Sequence, residues 1–322
     1  MVLVRLIATL FVVLLANAPA TAQSFPTQTV RIVVAYAPGG TGDIVARLIA
    51  VPLAAALGQN VVVENRAGAT GAIGTQSVVS AVPDGHTLLL GQTGEISINE
   101  HWIKGLTYNA ARDLQPIALA SVVPLALVVS SKAPYATMDD MAKALLAKKP
   151  ITFASAGTGT PGHFAGEFLK LRTKGNLTHV PYKGAGPALN DLLGGHVDVY
   201  FPGFPAAMPH VKSGAIKILA VSSATRSSAA PQIPTVAESI GDKNFDLTLW
   251  QGFFAPKATP KPIVDRLHTE ISRILATPDM QTRLRDAGAD VRVMSAAQFA
   301  DFTRAESNKY DTIIKESGVK PE

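Results

Sequence analysis

Gly157, Gly159 and Gly162 stand at GxGxxG spacing in the stretch ITFASAGTGTPGHFAGEF (151–168), between an apolar run and a helical pattern. Ser155, Thr158 and Thr160 add hydroxyls around them. A short turn from a strand into a helix leaves the first helical N–H groups free, and with the macrodipole they hold an anion without any charged side chain. Glycine lets such a backbone approach its ligand closely and take positive φ. A second turn of this kind is YAPGGTGD (36–43). There Tyr36 ends a strand, Pro38, Gly39, Gly40 and Thr41 make the turn, and Asp43 is placed to cap the helix. Gly39, Gly40 and Thr41 then face whatever sits at that edge. The plain alternative is that the glycines serve only tight turns.

A dinucleotide fold would put GxGxxG in its first βα turn, with Asp or Glu about 20 residues further on at the end of the next strand. Here the next strand, LTHVPY (177–182), carries no carboxylate, and Pro161 interrupts the motif. The amide cradle is the reading that remains. No GxSxG, HExxH or P-loop lysine is present. His163 and Glu167 are four apart on one helix, a metal-ligand spacing that lacks a third member. Asp198, inside the apolar HVDVYF, is either paired in the core or aimed into a site. Tyr182 offers a ring and a hydroxyl to a cleft, or simply packs.

The elements that must position these turns alternate between strand and helix. Strands are predicted at 29–36, 60–65, 86–91, 124–130, 151–156, 177–182, 197–201, 216–223, 247–255 and 290–294. Helical patterns fall between them, the first at about 43–57, where Pro52 should kink or split it. Thr137 and Asp140 make a capping box before MAKALLAKK. This alternation predicts α/β architecture with mostly parallel sheets. Glycine-rich turns occur in two separate regions, 37–74 and 155–187, which favours two sheets whose strand ends face each other across a cleft.

Bulk properties bound the function. The 322 residues are 47% hydrophobic and 16% charged, enough for a packed core and unlike a disordered chain. The first residues, MVLVRLIATLFVVLLANAPATAQ, carry one cation, a short apolar run and small residues at 20–22, the pattern of a secretory signal cleaved near Ala22. Its removal leaves 28 basic against 24 acidic residues, a charge of +4. The basic residues are scattered and aromatics are only 6%, which argues against a nucleic-acid partner. No cysteine is present, so disulfides, thiol nucleophiles and thiolate metal sites are excluded. An exported chain rarely meets free NAD, and no cofactor or metal site is expected.

The turns and their neighbours closely resemble the Bug (TctC-like) periplasmic solute receptors of the tripartite tricarboxylate transporter family. The matching pieces are YAPGGTGDIVARLIA, VVVENRAGATGAIGTQSVVSAVPDGHTLLLG, ASAGTGTPGHFAGEF, HVPYKGAGPALNDLLGGHVDVYF and LWQGFFAPKATPKPIVDRLHTEI, in family order over nearly the whole mature chain. The resemblance implies a two-domain, type II Venus-flytrap binding protein, with residues 23–123 and 247–322 in the first domain and 124–246 in the second. It implies a small carboxylate ligand held by amides, hydroxyls and waters from loops 36–43 and 155–163. Thr93 and Glu95 then lie in a segment that varies with ligand. The chain is read as a non-catalytic periplasmic monomer, partnered by a membrane permease of that transporter type where its role is transport. The competing reading is an exported hydrolase using Ser155 and His163. Two departures from the family pattern are visible. Family members often carry Ser or Thr directly before the Asp, where this chain has Gly42, and Glu95 stands where no acid is expected.

Overall fold

The computed structural model describes residues 25–320, so the expected signal segment at 1–22 lies outside the described residues. The chain builds two five-stranded sheets flanked by helices. In chain order the first group is β1 (Val30–Val34), α1 (Thr41–Leu57), β2 (Val61–Asn65), α2 (Ala72–Val79) and β3 (Thr87–Gln92), then short α3 (Asn99–Trp102), short α4 (Ala110–Asp113) and β4 (Leu114–Pro124). The second group is β5 (Ala126–Ser130), α5 (Met138–Leu146), β6 (Ile151–Ser155), α6 (Pro161–Thr173), β7 (Leu177–Pro181), α7 (Ala185–Gly194), β8 (Val199–Tyr200), α8 (Phe204–Lys212), β9 (Ile216–Val221) and α9 (Val236–Ile240). The chain then returns to the first sheet with β10 (Thr248–Pro256), followed by α10 (Lys261–Leu275), α11 (Pro278–Asp286) and α12 (Ala296–Ser317).

The sheet orders are β2-β1-β3-β10-β4 and β7-β6-β8-β5-β9. Both sheets are mixed, not mostly parallel. β1 pairs in parallel with β2 and β3, but β10 runs antiparallel to β3 and β4. β6 pairs in parallel with β7 and β8, whereas β5 runs antiparallel to β8 and β9. The antiparallel members are the strands next to a crossing, which enter each sheet from the opposite lobe. The strand expected at 290–294 does not form. Residues 290–294 make only an isolated bridge from Asp290 to Val122, and α1 is not split at Pro52. A strand is expected at 124–130 and none at 114–123, where the long strand β4 lies, and its apolar run continues into β5 with only Leu125 between them.

Strands buried on both faces fill the core, as continuous apolar runs require. One cluster joins Trp250, Phe254 and Phe299 under the first sheet, with Trp250 and Phe299 edge to face at 5.9 Å. In the second lobe Phe153 is fully buried, and a Cβ on Gly166 would lie 2.1 Å from its ring. The two crossings lie side by side, with Pro124 of β4 paired to Thr248 of β10. Ser222 clasps both of them. Its hydroxyl accepts from the Leu125 N–H at 2.9 Å and donates to the Leu247 carbonyl.

After β3 the backbone makes a π-helical turn, Gly94–Ile98, that turns Glu95 inward. Glu95 is 1% exposed, and its Oε1 accepts from the Gln92 N–H at 2.8 Å. Burial pushes its carboxyl up to about 8, although hydrogen bonds from backbone amides and Tyr36 work the other way. A folded-state pKa raised above the unfolded value gives stability that is complete at low pH and lost as pH rises through the folded value.

Glu95→Gln, which copies the neutral acid, should therefore match wild type near pH 4.5. Between there and about pH 8 its relative stability should climb, with a slope approaching 1.4 kcal/mol per pH unit. Urea unfolding across pH measures this, and a flat difference curve contradicts it. Phe153→Ala should cost about 3–5 kcal/mol in the same assay, because the ring sits in a dry, close-packed layer.

Candidate functional site

Four helices begin at one cavity between the lobes. These are α1 from the first lobe and α6, α7 and α8 from the second, starting after Gly40, Thr160, Gly184 and Gly203. None of the four N-cap residues makes a side-chain cap hydrogen bond. Elsewhere the chain caps freely, since Asn109, Thr137, Thr235, Thr277 and Ser295 all accept from the first turn of their helices. Helices α2, α3 and α10 also lack side-chain caps, but none of their N-termini lines this cavity. Thr41, Gly42, Gly162 and Ala185 lie in the wall, so first-turn amides from both lobes border the same space of about 60 Å³.

The lobes are closed upon each other around it. Thr70 Oγ1 donates to the Thr158 carbonyl at 2.8 Å across the gap. Trp102 of the first lobe stands edge-on to Phe164 of the second, centroids 5.3 Å apart. A Cβ on Gly203 would lie 2.2 Å from Thr41 Oγ1, so only glycine permits this approach. Gly203 has φ −61°, an ordinary conformation, so contact and not backbone strain demands glycine there.

The expected site residues divide into three groups. Tyr36, Gly40, Thr41, Asp43 and Thr160 line the cavity. Pro38 and Gly39 are exposed, and the Pro38 carbonyl approaches Gly186 of the other lobe. A second group holds the turns in shape. The Gly39 N–H donates to Asp43 Oδ2, that of Gly157 to Ser155 Oγ, and that of Gly159 to His163 Nδ1. These glycine amides are therefore spent inside the protein, and the free donors are the first helical amides that follow them. Asp43 is not the cap of α1, as expected, but sits inside its first turn and reaches back to Gly39. Burial would raise its pKa, yet hydrogen bonds from Arg47 and Gly39 hold it below the ordinary carboxylate value.

The third group lies off the cavity. Glu95, placed by the resemblance in a segment that varies with ligand, is buried and absent from the cavity wall. Thr93 Oγ1 accepts from the Trp250 N–H at 2.9 Å, which ties β3 to β10. The Tyr182 hydroxyl donates to Asp191 at 2.6 Å. Asp198 is neither in the core nor in a site. It is exposed, and its Oδ2 accepts from the Thr152 N–H at the far end of β6. Ser155 does not meet His163. Its Oγ lies 2.7 Å from His179 Nε2, and the hydroxyl donates to the Gly157 carbonyl. His163 stacks on His179 at 4.1 Å. Burial, then the neighbouring His179, lowers the His163 pKa to about 3, and burial lowers that of His179 to about 4, so both rings are neutral near pH 7.

Several wall residues escaped the sequence reading, namely Gln92, Leu125, Tyr200, Phe201, Gly203 and Leu249. Two carried a signal. YFPGFP is itself a strand-to-helix turn, with Pro205 in the first helical turn of α8, and Gln92 is a lone amide ending the apolar run LLLG. Among the described residues no Lys, Arg or His lines the cavity and Asp43 does, so the donors it offers an anion are peptide N–H groups at helix starts and not cationic side chains.

Comparison with known proteins agrees with this geometry. Residues 45–319 match the profile described as the tripartite tricarboxylate transporter family receptor. Protein BugT of Bordetella pertussis is 33% identical over 305 residues, covering 94% of this chain and 93% of that protein. The solved structure of R. palustris Rpa4515 with adipate superposes with TM-score 0.89 at 31% identity, covering 92% of this chain and all of that one. MatC from Rhodopseudomonas palustris with bound malate gives 0.83 at 33% identity, covering 90% of this chain and all of that one. The chain thus belongs to the tripartite tricarboxylate transporter receptor family, the Bug (TctC-like) solute-binding proteins.

Proposed function

We propose that this chain is a periplasmic receptor that captures a small carboxylate between its lobes and performs no chemistry on it. The observation that carries the reading is the meeting of four helix N-termini without side-chain caps at one cavity. A carboxylate supplies acceptors to several amides at once, in a place where exclusion of water strengthens each bond. Two similar structures hold dicarboxylates, adipate and malate, which supports the ligand class. The moving bodies are residues 23–123 with 247–322 against 124–246, and the ligand-binding residues are those of the cavity wall together with the turns that brace it. Residues 1–22 direct export and are removed. A membrane permease of the tripartite type reads the closed form.

The Ser155–His179 contact favours a hydrolase only superficially. No carboxylate hydrogen-bonds to His179 among the described residues, and Ser155 lies outside the cavity wall.

A thermal-shift series of small carboxylates should find ligands that raise Tm with concentration, by about 2.7 kcal/mol of added stability at 100-fold excess over Kd. If no carboxylate does so, or if the best stabiliser is consumed, the reading falls. Gly203→Val, whose side chain strikes Thr41 and Leu249 in the closed form, should weaken binding by at least about tenfold in a chain whose Tm shows that it is still folded. Unchanged affinity by calorimetry contradicts closure around this site.

A further inference from the structure

We infer that Gln92 reads a neutral oxygen on the ligand, and that the receptor selects hydroxy- or oxo-carboxylates over the corresponding plain carboxylates. The inference rests on the carboxylate-receptor reading above. Gln92 lines the cavity and is 5% exposed. Its backbone N–H is taken by Glu95, but its side-chain amide makes no hydrogen bond among the described residues. The Gln92 amide is not sealed in the core but opens onto the cavity, so a ligand that displaces water there has to offer it a partner.

Its placement depends on the residue before Asp43. A Cβ at position 42 would lie 2.8 Å from Gln92 Nε2, so Gly42 leaves the space that the Gln92 amide occupies. The amide thus sits against the first turn of α1, beside the free N–H groups that hold the carboxylate. A group it contacts must lie close to that carboxylate. The rest of the wall near the crossings is Leu125, Tyr200, Phe201 and Leu249, which offers no cation for a second charge.

The sheet register orients Gln92. Gln251 of β10 stands directly opposite Gln92, and Ser121 of β4 directly opposite Gln251, so the three side chains form a row on one face. Ser121 Oγ donates to Gln251 Oε1 at 2.6 Å. Gln251 Nε2 is buried without an acceptor. A bond from it to the Gln92 amide oxygen, on the next side chain in the row, is not formed in this structure, but Gln92 Nε2 already lies nearer to Gly42 than Oε1 does, and forming the bond in the liganded receptor holds the NH₂ toward the cavity. The ligand atom it meets is then an acceptor, a hydroxyl or keto oxygen. Gln251 is a positioning residue in this arrangement.

The test is calorimetry with two matched pairs, malate against succinate and lactate against propionate. For the pairs that bind, wild type should prefer the hydroxylated member by on the order of 10- to 100-fold. Gln92→Leu should collapse that ratio toward unity while retaining the affinity of the plain member, and its unliganded Tm should show that it is folded. Gln251→Met should lower the ratio without changing affinity for the plain member. Equal wild-type affinities within each pair overturn the inference. So does a ratio that survives in Gln92→Leu, or an equal loss for both members. If no carboxylate binds wild type at all, the receptor reading fails instead.

Discussion

A peptide N–H removed from water must find an acceptor, and the first turn of every helix carries several that its own backbone cannot satisfy. This chain answers that demand in two ways. Away from the cleft, helices such as α5, α9 and α12 close their first turns with Thr137, Thr235 and Ser295, each inside a reciprocal capping box. At the cleft the same position is Gly40, Gly184 or Gly203, or a threonine, Thr160, whose hydroxyl is turned away to the Gly157 carbonyl. The folding rule is left incomplete where the two lobes meet, and the incompleteness is shared between them. The rest of the architecture brings these ends together. Parallel strands point their carboxyl ends to one edge, and the crossings turn the two edges face to face.

Much of this was legible in the residues. The turns at 36–43 and 155–163 announced themselves through glycine, and the two glycine-rich regions implied two sheets. The identity of the free donors was not legible, because it depends on side chains folding back. Whether the Gly159 amide is spent depends on the rotamer of His163 four residues later, which no pattern encodes. The same holds for Glu95. Its position in a variable segment suggested the cavity, but the π-helical turn after β3 sends it behind the wall. Asp198 misled for a simpler reason. Its apolar neighbours belong to a short strand, and the acid lies just before that strand begins, where the chain is exposed. The strand β4 went unread next to the strand expected at 124–130, because nothing local marks where a chain passes from one sheet to the other.

The buried polar groups around the cavity fall into engaged and unengaged sets. Asp43, Ser155, Thr93 and His163 are engaged, and they brace the turns. Gln92 is not, and Gly42 makes its position possible. Gly42 in the first turn of α1 admits a longer side chain from β3, so the wall carries the Gln92 amide as well as the Thr41 hydroxyl.

Ser222 has a mechanical meaning. One hydroxyl pins both crossings beside each other, and the crossings are antiparallel neighbours as well. The backbones are bonded there too, the Ser222 N–H to the Leu125 carbonyl and the Leu247 N–H to the Ser222 carbonyl, so the two strands that join the lobes are held as one ribbon. The lobes are joined through that one ribbon, so a rotation of one lobe against the other has to bend both strands together.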